Sequence, residues 1–438
     1  MARLRIPPLA SLCLQALLFT HHAAFALAQV ASDDALPASV TMGVSTAENP
    51  EKDVTILKGT KTVGGAVPSD AYVTYASKIT LDPESTDDQT VTFTGANPTT
   101  TYAGNGTDDA PVNTQPCNNY IELCERKYSN VTEVGAHNSP FVREGSSAAN
   151  QQLDVITQLN DGVRFLQAQI QFPSPGRGDG PHFCHSSCDM LDAGPIEDWL
   201  TRVRRWVDDH PYDVVTILLG NGNYSHPDLY APHIEASGIV KYAYRPRVLP
   251  MALDDWPTLS EMIIRGKRVV MFLDYKADQR AYPWLLDQFS QLWETPFDPI
   301  DPTFPCDVQR PPDLSEARAK DRLYLLNHNL NAEFSLFDSQ ILVPAVSLLN
   351  QTNGESGPGS LGNSTEGCVD MWGRPPKILN LDYYNYGDSD GSAFKVAARF
   401  NNVTYNGECC GSLDSAGWSL RPAAASLALV VMFSVLLA

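Results

Sequence analysis

From Cys117 onward, apolar runs alternate with stretches that are apolar at every third or fourth position. VTEVGAH, VRFLQAQIQF, PHFCH, DVVTILLGN, RVVMFLDY, RLYLLNHN and KILNLDYYNYGD read as strands. DVVTILLGN is apolar on both faces, the pattern of a parallel strand covered on two sides. QQLDVITQLNDG reads as a helix ending at Gly162, and a second helix starts at Pro195, with Glu197 and Asp198 in its first turn and Ile196, Leu200, Val203 and Trp206 at helical spacing. TLSEMII opens with Thr258 and Glu261 in capping-box spacing, and SAFKVAARFN reads as a closing helix. Six or seven strands separated by helices predict an α/β fold, a (β/α) TIM-type barrel of irregular form, rather than a doubly wound sheet. Neither a GxGxxG nor a Walker A pattern occurs, so nothing motivates a nucleotide-binding sheet.

The flanks have other compositions. Residues 1–28 carry two arginines, an apolar stretch from Leu9 to Phe19 and a small-residue exit through Ala28, which predicts a cleaved signal peptide and export. Residues 29–115 are rich in Thr, Ser, Asp, Gly and Pro, as in STDDQTVTFTGANPTTTYAGNGTDD, and read as a stalk or a small β segment. The barrel is expected over 116–405, followed by a linker over 406–422. Residues 423–438 are apolar, with no basic stop after them, and shorter than the ~20 residues of a spanning helix. With Gly411 and Ser412, or Ser415 to Gly417, as attachment points upstream, they predict a glycolipid-anchor signal, a tail-anchored helix being the alternative. The expected location is therefore secreted or at the outer face of the plasma membrane or cell wall. Six Asn-x-Ser/Thr acceptors, Asn105, Asn130, Asn223, Asn350, Asn363 and Asn402, agree with export. Without Cys13 eight cysteines remain, an even set for an oxidising compartment. Cys117 with Cys124 and Cys184 with Cys188 are the local pairs, and Cys306 with Cys368 a third, although spacing alone leaves connectivity open.

A net charge of -20, with no run of lysine or arginine, argues against nucleic acid as a partner. In a barrel the site forms where strands end. Reading each strand to its end yields His137 and Asn138, Gln167 and Gln169, His185, Asn221, Asp274 and Lys276, His328 and Asn329, and Asp382. His137 and His185 are the candidate general base and acid, since an imidazole titrates near neutrality and can serve in either state. A zinc site at His182, Cys184, His185 and Cys188 is less consistent with export, which favours a disulfide that aims His185.

GAHNSPF, QLNDGVRFLQAQI, the Cys-His turn and the DVVTILL strand together resemble the X region of phosphatidylinositol-specific phospholipases C. CHSSCDMLDAG and LDYYNYGD resemble, more narrowly, the fungal secreted PLC-like phosphodiesterases, over about residues 115 to 405. The resemblance implies a distorted barrel that cleaves a phosphodiester through attack by the neighbouring inositol hydroxyl. His137 would take the proton from that hydroxyl and His185 would protonate the leaving oxygen. Metal-dependent relatives hold calcium with acidic residues in an R-x-x-E-x-D strand, where this chain has Arg164, Gln167 and Gln169. Metal-independent bacterial relatives place an arginine where Gln169 stands and an aspartate where Asn138 stands.

These departures predict no metal and no cofactor, because calcium sites need anionic oxygens. Asn138, Gln167, Gln169, Asn221, Lys276 and Asp382 are the candidate substrate contacts, with Lys276 the candidate phosphate cation and Asp274 or Asp382 orienting a histidine. The expected function is a phosphoric diester hydrolase or lyase acting on an inositol phospholipid or glycolipid at a membrane surface. The alternative is a weak or inactive surface protein that binds lipid head groups or cell-wall glycan.

Overall fold

The computed structural model describes residues 67–68, 70–81, 115–176, 178–336, 339–407 and 409–411. The predicted signal peptide, most of the Thr-rich extension with Asn105, and the C-terminal apolar tail lie outside the described residues. The strands, in order, are β1 (Ile79–Thr80), β2 (Glu133–Ala136), β3 (Phe165–Gln171), β4 (His182–His185), β5 (Leu191–Pro195), β6 (Val215–Gly220) and β7 (Val248–Leu249). They continue with β8 (Val269–Leu273), β9 (Leu285–Asp287), β10 (Leu292–Glu294), β11 (Leu323–Asn327), β12 (Asn331–Leu336), β13 (Ser339–Pro344) and β14 (Ile378–Leu381).

Eight of these form one curled parallel sheet in the order β10-β11-β14-β2-β3-β6-β8-β9. Among the described residues no pairing joins β9 to β10, so this is an α/β fold with an irregular, seamed TIM-like barrel. PHFCH is not a barrel strand: β4 runs antiparallel to β3 and then to β5, a side ribbon on the rim. Two barrel strands escaped the sequence reading because β9 and β10 are three residues each, inside an aromatic stretch without a clear period. The β12–β13 hairpin was likewise not anticipated.

Local signals explain the elements around the sheet. Asp154 caps the helix Val155–Asp161 by accepting from Thr157 N at 3.0 Å, and Gly162 ends it at φ 111°. Thr258 and Glu261 form the reciprocal capping box that opens Leu259–Ile264. The helix Ile196–Asp209 buries Ile196, Trp199, Leu200, Val203, Trp206 and Val207 as one stripe. Each such side chain contributes roughly 1.5–3 kcal/mol through burial.

Alternate strand residues divide between two cores, as a period of two requires. Phe165, Leu218, Val270, Phe272, Leu286, Leu325 and Ile378 pack in the barrel interior. Leu166, Ala168, Ile217, Leu219, Met271, Leu273, Leu379 and Leu381 pack outward, with the helix stripe. Near the strand starts, Lys377 Nζ pairs with Glu133 Oε1 at 2.6 Å, and Thr216 Oγ1 donates to Glu133 Oε2 at 3.0 Å.

Part of the Thr-rich extension lies on the barrel. β1 pairs antiparallel with β7, Ala71 is buried, and Tyr72 packs against Tyr275 and Phe289 with ring centroids at 5.4 and 5.2 Å. Disulfides join Cys117 to Cys124, Cys184 to Cys188, Cys306 to Cys368 and Cys409 to Cys410. Of the described glycosylation acceptors, Asn130, Asn350, Asn363 and Asn402 are exposed. Asn223 is half-buried, and its side-chain nitrogen donates to the Ile170 carbonyl at 3.4 Å.

Candidate active site at the barrel mouth

The inward parity of β2 runs through Glu133 and Gly135 to His137, just past the strand end, and that of β14 through Ile378 and Asn380 to Asp382. His137 Nδ1 donates to Asp382 Oδ1 at 2.7 Å. Asn150 Nδ2 donates to the same carboxylate oxygen at 2.9 Å. Gln151 Nε2 reaches the His137 and Leu381 carbonyls at 2.7 and 2.8 Å, tying the two strand ends together. With Nδ1 committed as a donor, the other ring nitrogen, Nε2, keeps its lone pair. Burial pushes the His137 pKa down, but the Asp382 carboxylate, aided by Asp298 and Glu294, more than offsets it and leaves the ring above its ordinary value.

His185 arrives from the rim ribbon. Its strand is tied to β3 through Ile170↔Phe183, and the Cys184–Cys188 disulfide closes the turn behind it. The turn after His137 carries Phe141, whose ring lies 5.2 Å from the His185 ring. The two imidazoles interact electrostatically: burial, and then the charge of His137, push the His185 pKa down to about 3. Its Nδ1 is sealed from solvent without a partner, although the residue is partly exposed. Burial thus favours the neutral form of His185, and His137 is the more readily protonated ring.

The other predicted residues separate into groups. Asn138 sits in a left-handed turn (φ 48°), donates to Asn150 Oδ1 at 3.2 Å, and keeps a buried Oδ1 without a partner. Gln167 Oε1 accepts from Asn380 Nδ2 at 2.9 Å. Gln169 lies over Gly220, its register partner on β6, where a Cβ would collide with the amide.

Three assignments need correction. Asn221 is not available to a substrate: its amide donates to the Ser225 and Tyr275 carbonyls and accepts from Ser225 N and Tyr230 OH, which uses its full capacity. Asp274 orients no histidine: Oδ1 accepts from Asn221 N at 2.6 Å and Tyr275 N at 2.8 Å, and Oδ2 faces Arg310. The carboxylate that meets a histidine is that of Asp382, expected chiefly as a substrate contact. Lys276 is held by Asp70 of the extension at 2.5 Å, so its charge is already matched. His328 lies on the outward parity of β11, 1% exposed, stacked on Phe304, and is a packing residue.

Sequence reasoning missed Asn150, Gln151, Glu294 and Arg310. Asn150 and Gln151 sit in a polar stretch, and Arg310 in an irregular loop, where no periodicity singles them out. Asn138, Gln167 and Gln169 do not fit a calcium ion, because the set has no carboxylate and one of its oxygens is already used by Asn380. Cys184, Cys188 and Asp192 come within ligand distance of one another, but the sulfurs are disulfide-bonded and offer no thiolate.

The mouth of the seamed parallel barrel thus holds a carboxylate-backed imidazole with a second imidazole in electrostatic reach. A family model described as PI-PLC X 1 matches residues 123–398, and the chain belongs to the PI-PLC X family. An "Uncharacterized secreted protein" of Arthroderma benhamiae is 50% identical over 350 residues, 78% of this chain and 77% of that one. A "PI-PLC X domain-containing protein 1" of the same organism is 39% identical over 62% of this chain and 86% of its own length. Among solved structures, phosphatidylinositol-specific phospholipase C of Staphylococcus aureus is similar with a TM-score of 0.42 and 13% identity, covering 66% of this chain and 98% of that one.

Proposed function

We propose that this protein cleaves the phosphodiester of an inositol phospholipid or glycolipid by general base and general acid catalysis, without calcium. The carrying observation is the His137–Asp382 pair with His185 in electrostatic reach at one barrel mouth. Asp382 keeps the Nδ1–H tautomer, so Nε2 of His137 accepts the proton of the attacking hydroxyl. The O–H bond breaks as that oxygen bonds to phosphorus, and the bond from phosphorus to the leaving alcohol oxygen breaks as His185 delivers a proton to it. His185 must be charged for that step, and the arriving phosphodiester supplies the reason, since a nearby anion favours imidazolium.

The reading extends to location: an exported protein held at the cell surface by a glycolipid anchor, as residues 1–28 and 423–438 suggest. Release of water-soluble inositol phosphate from phosphatidylinositol vesicles by the purified chain tests the activity. A second reading, a surface protein that binds head groups without turnover, is favoured by the neutral Gln167 and Gln169 and by the engagement of Lys276 with Asp70. Vesicle binding with no release would select it.

A further inference from the structure

The phosphodiester reading lacks a positive charge for the phosphate at the expected β3 positions, and Lys276 is paired. Phosphoryl chemistry depends on such charge. Arg310 is a buried cation at this end of the barrel, whereas Arg143 is exposed and donates to the Met190 carbonyl. Arg310 bridges to Glu294, the last residue of β10, through Glu294 N to Arg310 O at 2.8 Å, and its guanidinium lies among residues that follow β8, β9 and β10. It is 6% exposed. Its guanidinium lies 4.2 Å from the Phe297 ring centroid and 5.1 Å from that of Phe289.

The arrangement leaves its donors unused. Asp274 Oδ2 and Glu294 Oε2 are each 3.6 Å away, beyond hydrogen-bond length. Among the described residues no protein group accepts a hydrogen bond from the guanidinium, and its Nε is buried without a partner. Buried Arg164 contrasts with it, donating to Asp213 and to the Leu159 and Val163 carbonyls at 2.7–3.1 Å. A buried Nε–H without an acceptor is costly, and the two Nη groups meet carboxylates only at ion-pair distance. A planar fork of that kind matches two oxygens of a phosphate.

Arg310 also connects to the histidine side of the mouth. Asn327 Nδ2 donates to Glu294 Oε2 at 3.3 Å, Asn380 Nδ2 donates to Asn327 Oδ1 at 3.2 Å, and the same amide reaches Gln167 on β3. Glu294 acts electrostatically on His137 as well as on Arg310.

We propose that Arg310 is the anion-binding cation of this cleft: its guanidinium takes two oxygens of a phosphate ester, supplying from the β9–β10 seam the charge that Gln167 and Gln169 do not carry. This rests on reading the mouth as a phosphodiester site. Glu294 Oε2 lies 3.6 Å from the guanidinium, so a phosphate competes with that carboxylate.

Calorimetric titration of the full chain with inorganic phosphate and with myo-inositol 1-phosphate tests it, with folding followed by circular dichroism. Arg310→Met is expected to weaken binding of both at least tenfold, Arg310→Lys to weaken it less, and Glu294→Gln to tighten it. Equal affinity in wild type and Arg310→Met, or no phosphate binding by wild type, would overturn the proposal. If Arg310→Met fails to fold, unchanged affinity in both Arg310→Lys and Glu294→Gln overturns it equally. Vesicle cleavage is scored separately: phosphate binding that depends on Arg310 without any cleavage would sink the catalytic reading alone, and cleavage with Arg310-independent binding would sink only this proposal.

Discussion

His137 and Asp382 meet across adjacent parallel strands, the Nδ1 of one donating to the Oδ1 of the other at 2.7 Å, one residue beyond the paired Ala136 and Leu381. Asp382→Asn keeps the shape and removes the charge. Turnover on phosphatidylinositol vesicles is expected to fall by about 10²- to 10⁴-fold. Because the carboxylate raises the His137 pKa, and a base must be neutral to act, the acidic limb of the kcat/KM profile should move to lower pH in the variant. An unmoved limb would contradict the pairing.

His185 provides a spectroscopic check. Nuclear magnetic resonance of its ring in the free protein should show titration well below the ordinary histidine range, near the value of about 3 set by burial. Adding myo-inositol 1-phosphate should raise that pKa, since the anion favours the charged ring. A ring that already titrates normally in the free protein would remove the need for substrate to charge it.

Gln167 and Gln169 predict the response to metals. Chelator should leave release unchanged, and added calcium should not increase it more than about twofold, because neutral amides bind the ion weakly. The assay is vesicle release at matched ionic strength.

The buried pair at the other end of the barrel concerns stability. Lys377→Met leaves Glu133 charged in the core, which is expected to cost about 3–5 kcal/mol in denaturant unfolding. Adding Glu133→Gln should restore part of that loss. Equal stability of wild type and the single variant would show that Glu133 is relieved by another group.

Acid should also loosen the fold. Burial pushes the His328 pKa down to about 3, so the unfolded chain takes up a proton near pH 6.5 that the native state refuses. The stability this group contributes is present above pH 6.5 and is lost as pH falls toward 3, and a His328→Gln variant should show a shallower decline in denaturant midpoint over that window.

Much of the barrel was legible because β6, β8 and β11 are near-continuous apolar runs leading to polar residues, and β3 alternates apolar residues with glutamines. The seam was not, since β9 and β10 are too short to carry a period. His137 and His185 stood out as histidines closing apolar segments, yet the His185 segment turned out to be an antiparallel ribbon, because four residues do not reveal strand direction. Asp382 was visible as a strand end, but whether it or Asp274 held a histidine depended on which strands are neighbours: β14 pairs with β2 and β8 does not. Arg310 had no sequence signal, since its importance comes from a loop folding back on β10.

The most direct measurement is the rate of inositol phosphate release from phosphatidylinositol vesicles by His137→Ala and His185→Ala, with the exposed His226→Ala as control. The account predicts losses of at least 10²-fold in both cleft variants and wild-type rates in the control. Release at wild-type rates by either cleft variant would contradict it.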